Sequence, residues 1–128
     1  MRNIIDRPYF LEILKQFKET DIIKIITGVR RSGKSTLFNL YIEYLKSIGI
    51  NENQIIHINL EDIEMEELND YKTLHNYIIK KLQKNKMNYI FIDEVQKCEQ
   101  FERAVDSLYI KKNTDVYITG SNANMLSR

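Results

Sequence analysis

Cysteine occurs once in these 128 residues, proline once, glycine four times and tryptophan not at all. The lone Cys98 excludes an intramolecular disulfide and suits a reducing compartment, and it reads as a packing or surface residue before a nucleophile. No apolar run exceeds five residues, against the about 20 that a bilayer span needs. The opening MRNIIDRPYF has neither a sustained apolar region nor a small-residue cleavage site, so no signal peptide is expected and the cytoplasm is the default location. Neither sign of charge dominates. Nineteen basic and 18 acidic side chains leave +1, so the global charge argues for neither nucleic acid nor an anionic membrane as partner. Internal repeats, linkers and low-complexity segments are missing too. What remains is an ordinary globular composition, 43% apolar and 29% charged, in one domain's length of chain.

The apolar pattern alternates between two periods. Asp6-Arg7-Pro8 reads as a helix start, and Phe10, Leu14 and Phe17 recur at helical spacing up to about Thr20. IIKIIT, residues 22–27, reads as a largely buried strand. A helix is expected from about Lys34 to Ile48, closed by Gly49. QIIHIN (54–59), NYIFID (88–93) and DVYITG (115–120) read as three further strands, with helices over 71–84 and 99–110. Glu61, Asp62, Glu64, Glu66, Glu67 and Asp70 mark a solvated acidic connection, and Lys80, Lys81, Lys84 and Lys86 a basic helix end. Strands alternating with helices predict an α/β fold, a parallel sheet covered on both faces. The expected division is a single domain over 1–128, with 1–20 as leading helix and 21–128 as core.

Two of the few glycines stand five residues apart. Gly28-Val29-Arg30-Arg31-Ser32-Gly33-Lys34-Ser35 fits G-x-x-x-x-G-K-[ST] at every fixed position, between a predicted strand and a predicted helix. The glycines let the loop fold back so that backbone N–H groups face a phosphate chain, and the following helix aims its positive dipole end at the same place. Lys34 then reaches the β- and γ-phosphates, and the Ser35 hydroxyl completes a Mg²⁺ shell. The second constellation is YIFIDEVQ. Its apolar residues carry Asp93 to the C-terminal end of a buried strand, where open α/β sheets bind ligands. Asp93 there suits Mg²⁺, and Glu94 beside it suits a general base that polarises a water for attack on the γ-phosphorus. A fourth strand ending in TGSNA brings Ser121 or Asn122 to the same edge, and Asn122 is the more natural polar sensor.

With these pieces assembled, the chain resembles the ATPase domain of the AAA-type prokaryotic P-loop proteins whose members continue into a C-terminal domain of unknown function. RPYFLEIL, ITGVRRSGKSTLF, HINLED, YIFIDEVQKCEQFERAV and VYITGSNANMLS carry the likeness. The resemblance implies a three-layer P-loop sheet that binds and hydrolyses ATP with Mg²⁺. It assigns Gly28, Gly33, Lys34, Ser35 and Thr36 to the nucleotide loop, Asp93 to the metal, Glu94 to catalysis and Asn122 to the first sensor. It places the fourth strand between the first and third. It also implies that a fifth strand and a helical lid lie beyond Arg128, which would leave residues 22–27 as an unpaired edge prone to self-association.

Three placements stay open for Arg30 and Arg31: toward phosphates, toward a neighbouring subunit, or into solvent. His57 and His75 lack metal-ligand spacing and read as core or surface packing residues; several of the eight tyrosines fall on helical or strand core positions, so no base-stacking platform is expected. Glu61, just past the second strand, is a further candidate for the γ-phosphate region. Two other functions share the loop, a small-molecule kinase and a nucleotide-gated module acting through a protein or DNA partner.

Overall fold

The computed structural model describes residues 7–27 and 31–120, with side chains at 11–27 and 37–120. Its elements follow the order α1 (Arg7–Gln16), β1 (Lys24–Thr27), α2 (Arg31–Ser47), β2 (Ile55–Asn59), α3 (Tyr71–Ile79), β3 (Asn88–Asp93), α4 (Phe101–Tyr109) and β4 (Thr114–Gly120). The strands form one parallel sheet in the order β1-β4-β3-β2, so the fourth strand does lie between the first and third. The predicted α/β architecture, a parallel sheet with helices on both faces, is what the chain adopts. No helix among the described residues is long and apolar enough to cross a membrane.

Strand alternation divides the core into two layers. Tyr89 and Phe91 of β3 and Tyr117 of β4 face Leu14 of α1 and the Leu37, Phe38, Tyr41, Ile42 and Leu45 stripe of α2. Ile90, Ile92, Val116 and Ile118 face the other way, onto Leu74 and Ile78 of α3 and Phe101, Ala104, Val105 and Leu108 of α4. Every residue of β3 is buried, as expected of a central parallel strand. Each fully buried large side chain contributes about 1.5–3 kcal/mol, so these two layers are the main source of stability.

Local chemistry fixes the element ends. Gly49, at φ +100°, closes α2: its N–H donates to Lys46 O at 3.1 Å and Ile50 N–H to Leu45 O at 3.0 Å. Those two bonds form the paired glycine cap that the sequence predicts there. At the other end, α2 begins at Arg31, so Arg31, Ser32 and Gly33 lie in its first turn and not in a loop ahead of Lys34. Asp70 caps α3 by accepting from the Lys72 amide at 2.9 Å and the Thr73 hydroxyl at 2.7 Å. Those bonds, Thr73 first, hold its carboxyl below the usual range. α3 stops at Ile79, five residues before the predicted end at 84, because Asn88 takes the chain elsewhere. Its side chain accepts from Gln83 N at 2.8 Å and donates to Gln83 O at 3.1 Å. Cys98 is buried, and that burial pushes its thiol up to about 11, consistent with packing and not nucleophilic use.

β1 departs from its predicted burial. Lys24 is 5% exposed while Ile25 and Ile22 are 46% and 47% exposed, the reverse of their hydropathy. Lys24 is on the side of α1 and α2, where it meets Asp115 of β4; Ile25 points to the opposite face and stays half-exposed there. β1 pairs only with β4 among the described residues, so its outer edge and the exposed Phe17, Ile22 and Ile25 lie together. For this chain in isolation the expected outcome is concentration-dependent self-association, which Ile25→Lys should reduce. Sedimentation over a hundredfold concentration range checks it; a wild-type monomer throughout would contradict it.

Candidate functional site

A parallel sheet puts all strand C-termini at one edge, and here that edge collects Thr27, Asn59, Asp93 and Gly120. The first turn of α2, four residues after the end of β1, opens at the same edge. Its leading amides have no intrahelical acceptor and carry the positive end of a helix of 17 residues.

Asp93 and Glu94 are both 3% exposed. Buried carboxyl groups require polar partners, and Asp93 has one from each neighbouring strand. The Thr119 hydroxyl of β4 donates to Oδ1 at 3.1 Å, and Nε2 of His57 on β2 lies 2.9 Å from Oδ2. A carboxylate only accepts, so the imidazole carries the proton at Nε2. Each oxygen retains a second acceptor direction beyond these contacts.

Glu94 turns the chain out of β3 in the left-handed region, φ 57° and ψ 52°. That conformation is uncommon for a residue with a Cβ and is concentrated at functional sites, with a strain of about 1–2 kcal/mol. Two bonds hold it. The Glu94 amide donates to Thr119 Oγ1 at 3.0 Å, and Gln96 Nε2 donates to Glu94 Oε1 at 2.7 Å. Thr119 therefore serves both acidic residues, accepting from the backbone of one and donating to the side chain of the other. The other end of the Gln96 amide, Oε1, is buried without a hydrogen-bond partner among the described residues.

Of the residues predicted for this site, Asp93 and Glu94 come together as expected at the end of β3. The backbone of Arg31, Ser32, Gly33, Lys34, Ser35 and Thr36 forms the first turns of α2; their side chains lie outside the described residues. Gly28, Val29, Arg30, Ser121 and Asn122 also lie outside them. Glu61 is exposed in the turn after β2, which Leu60 ties to the same strand end through its amide bond to Asp93 O at 3.1 Å. Two residues were missed. His57 is not simply a packing residue, since it bonds Asp93, and Thr119, the first residue of TGSNA, bonds both acidic residues. The available signals were a polar residue interrupting the apolar IIHI and a buried hydroxyl one position before TGSNA's glycine. His75 pairs with Ser107 at 2.9 Å on the far side of the sheet. Among the described residues no three His, Cys, Asp or Glu side chains converge as metal ligands.

The family model described as AAA domain matches residues 20–128. A protein of Haemophilus influenzae, described as an uncharacterized protein, is 42% identical over 125 residues, which is 97% of this chain and 31% of that protein. This chain thus spans about a third of the length of that relative. No solved structure matches. From the family match over most of its length, together with a parallel sheet that brings Asp93 and Glu94 to its C-terminal edge, the chain belongs to the AAA domain family, nucleotide-binding and ATPase-like in character.

Proposed function

We propose that this chain binds ATP at the C-terminal edge of its sheet and hydrolyses it to ADP and phosphate. The observation that supports this most is the buried pair Asp93-Glu94, held by Thr119 beside the strand end that leads to the G-x-x-x-x-G-K-S segment. An isolated acidic turn has no reason to be buried and conformationally strained. A site that must aim two carboxylates at a phosphate and a water does.

In this reading Lys34 and the leading amides of α2 neutralise the phosphate chain. The donor set fits Mg²⁺: a single protein carboxylate with acceptor positions to spare, a hydroxyl from Ser35, and phosphate oxygens, all hard ligands. Ser35 and Asp93 would hold that cation, which when bound offsets charge on the transferred phosphoryl group. Glu94 orients the attacking water and accepts its proton, while Gln96 Nε2 fixes the Glu94 carboxylate. Asn122 senses the γ-phosphate. Glu94, a second carboxylate suited to activating water, favours hydrolysis over a kinase reaction.

ATP binding is tested by thermal unfolding with Mg²⁺ and nucleotide. At about 100 times its Kd a ligand adds roughly 2.7 kcal/mol, which raises the midpoint of a domain this size by roughly 10 °C. That shift is expected with ATP and absent in Lys34→Ala. An equal shift in both proteins would remove Lys34 from the site, and GTP in place of ATP measures the base preference.

A further inference from the structure

We propose that His57 is a positioning residue for the Asp93 carboxylate, fixing the orientation in which Asp93 receives the divalent cation that accompanies ATP. The inference rests on the nucleotide site described above and adds a residue to it. Asp93 stands on β3 between β4 and β2, and each neighbouring strand sends one side chain to one of its oxygens. The terminal torsion of an aspartate is a broad well, so a single bond to one oxygen leaves the other free to swing. Thr119 alone would do that. The His57 bond to Oδ2, from the opposite strand, removes the remaining rotation.

The identity of residue 57 follows from the register. His57 pairs with Phe91, and Asn59 with Asp93, so His57 and Asp93 are diagonal neighbours. Diagonal Cα atoms in a sheet are about 7–8 Å apart, a gap that a serine or threonine on β2 would not bridge. An imidazole carries its donor on the far side of a rigid ring, and reaches Asp93 at 2.9 Å. The ring is itself held in place. It meets Phe38 of α2 edge-on at 6.0 Å and Phe91 of β3 edge-on at 6.2 Å between centroids. Position 57 also lies on the outer strand of the sheet, with its side chain 27% exposed at the wall of an open groove of about 310 Å³ beside Asn39 and Glu43. Ile56 and Ile58 enter the core on the other face of β2, whereas position 57 meets the groove on this one, where the bond to Asp93 uses a donor that an apolar side chain lacks.

The test is the dissociation constant of ATP measured by isothermal titration, with Mg²⁺ and with EDTA, for the wild type, His57→Phe and His57→Gln. His57→Phe keeps an aromatic ring between Phe38 and Phe91 but has no donor; the glutamine amide restores a donor at similar reach. Partners that orient a metal ligand are typically worth 10–100-fold in metal affinity. The Mg²⁺-dependent tightening of ATP binding should therefore fall about tenfold or more in His57→Phe. The EDTA value should stay within twofold, and His57→Gln should recover most of the loss. A fall of equal size with and without Mg²⁺ would mark a structural role, and an unchanged tightening would mark no role; either overturns the proposal while the ATP site stands. A wild-type chain that binds no ATP in either condition overturns both. His57→Leu guards against a ring that does not fit, and must show the same selective loss with an unfolding midpoint close to the wild type.

Discussion

Asp115→Ala is expected to lower the unfolding free energy by about 3–5 kcal/mol, the penalty for stranding one charge of a buried pair. Lys24 Nζ lies 2.5 Å from Asp115 Oδ1, with the side chains 4% and 0% exposed. Lys24 also donates to Thr20 O at 3.1 Å and lies over the Tyr117 ring, 5.2 Å from its centre. Asp115 Oδ2 accepts from the Glu19 amide and the Tyr117 hydroxyl, each at 2.7 Å. Since Tyr117 donates there, Tyr41 donates to Tyr117 across their 3.0 Å contact. Tyr89 donates to the Glu19 carboxylate beside them. Burial pushes all three phenols above their ordinary range, so they remain neutral donors at physiological pH.

This network joins β1, β4, β3, α2 and the segment after α1 at the end of the sheet opposite Asp93. Removing Asp115 leaves Lys24 with a charge and little to answer it. Thermal unfolding should show the midpoint down by roughly 10–30 °C for a domain of this size. Lys24→Met with Asp115→Asn removes both charges and keeps an acceptor for Glu19 and Tyr117. That double variant should recover at least half of the loss, whereas additive losses would show that the pair is not coupled.

Glu94→Gln is expected to lower ATP hydrolysis by about 10²–10⁴-fold while leaving ATP affinity within a few-fold of wild type. The amide retains an oxygen for Gln96 and demands no change at φ 57°, but it cannot accept a proton from water. Phosphate release and equilibrium ATP binding are measured on the same preparations, with wild-type turnover above the spontaneous rate as the starting condition. Loss of binding in parallel with turnover would count against a base at this position. Asp93→Asn differs in kind: it touches the residue that His57 and Thr119 hold, so its loss should appear in the Mg²⁺ dependence of binding as well as in rate.

Much of the fold was written in short-range pattern. The helices expected over 34–48 and 99–110 are present as α2 and α4, whose buried residues include Leu37, Tyr41 and Leu45 and Phe101, Val105 and Leu108. Gly49 announced the end of α2, and YIFID announced a buried strand delivering Asp93 to its edge. Helix and strand periods depend only on neighbours along the chain, so a single sequence displays them. The end of α3 was misjudged because its terminator, Asn88, is a residue from the next strand bonding backwards to Gln83.

The site divides the same way. Asp93 and Glu94 were legible because a carboxylate pair after an apolar strand is a local pattern, and the strand end decides where it lies. The partners of that pair were not. Thr119 is 26 residues from Asp93 in sequence and His57 is 36, and nothing local to either says that they meet. What holds Lys24 in the interior was not legible for a related reason: hydropathy assigns an isolated lysine to solvent, and its counter-charge is 91 residues away on β4.

The sequence by itself thus determined the alternation of strands and helices, the G-x-x-x-x-G-K-S segment and the acidic pair that together point to nucleotide chemistry, since each is a property of contiguous residues. The tertiary structure decided which charges are buried and what holds them, because parallel strand order and register, β4 and β2 flanking β3, create neighbours that the chain order does not contain.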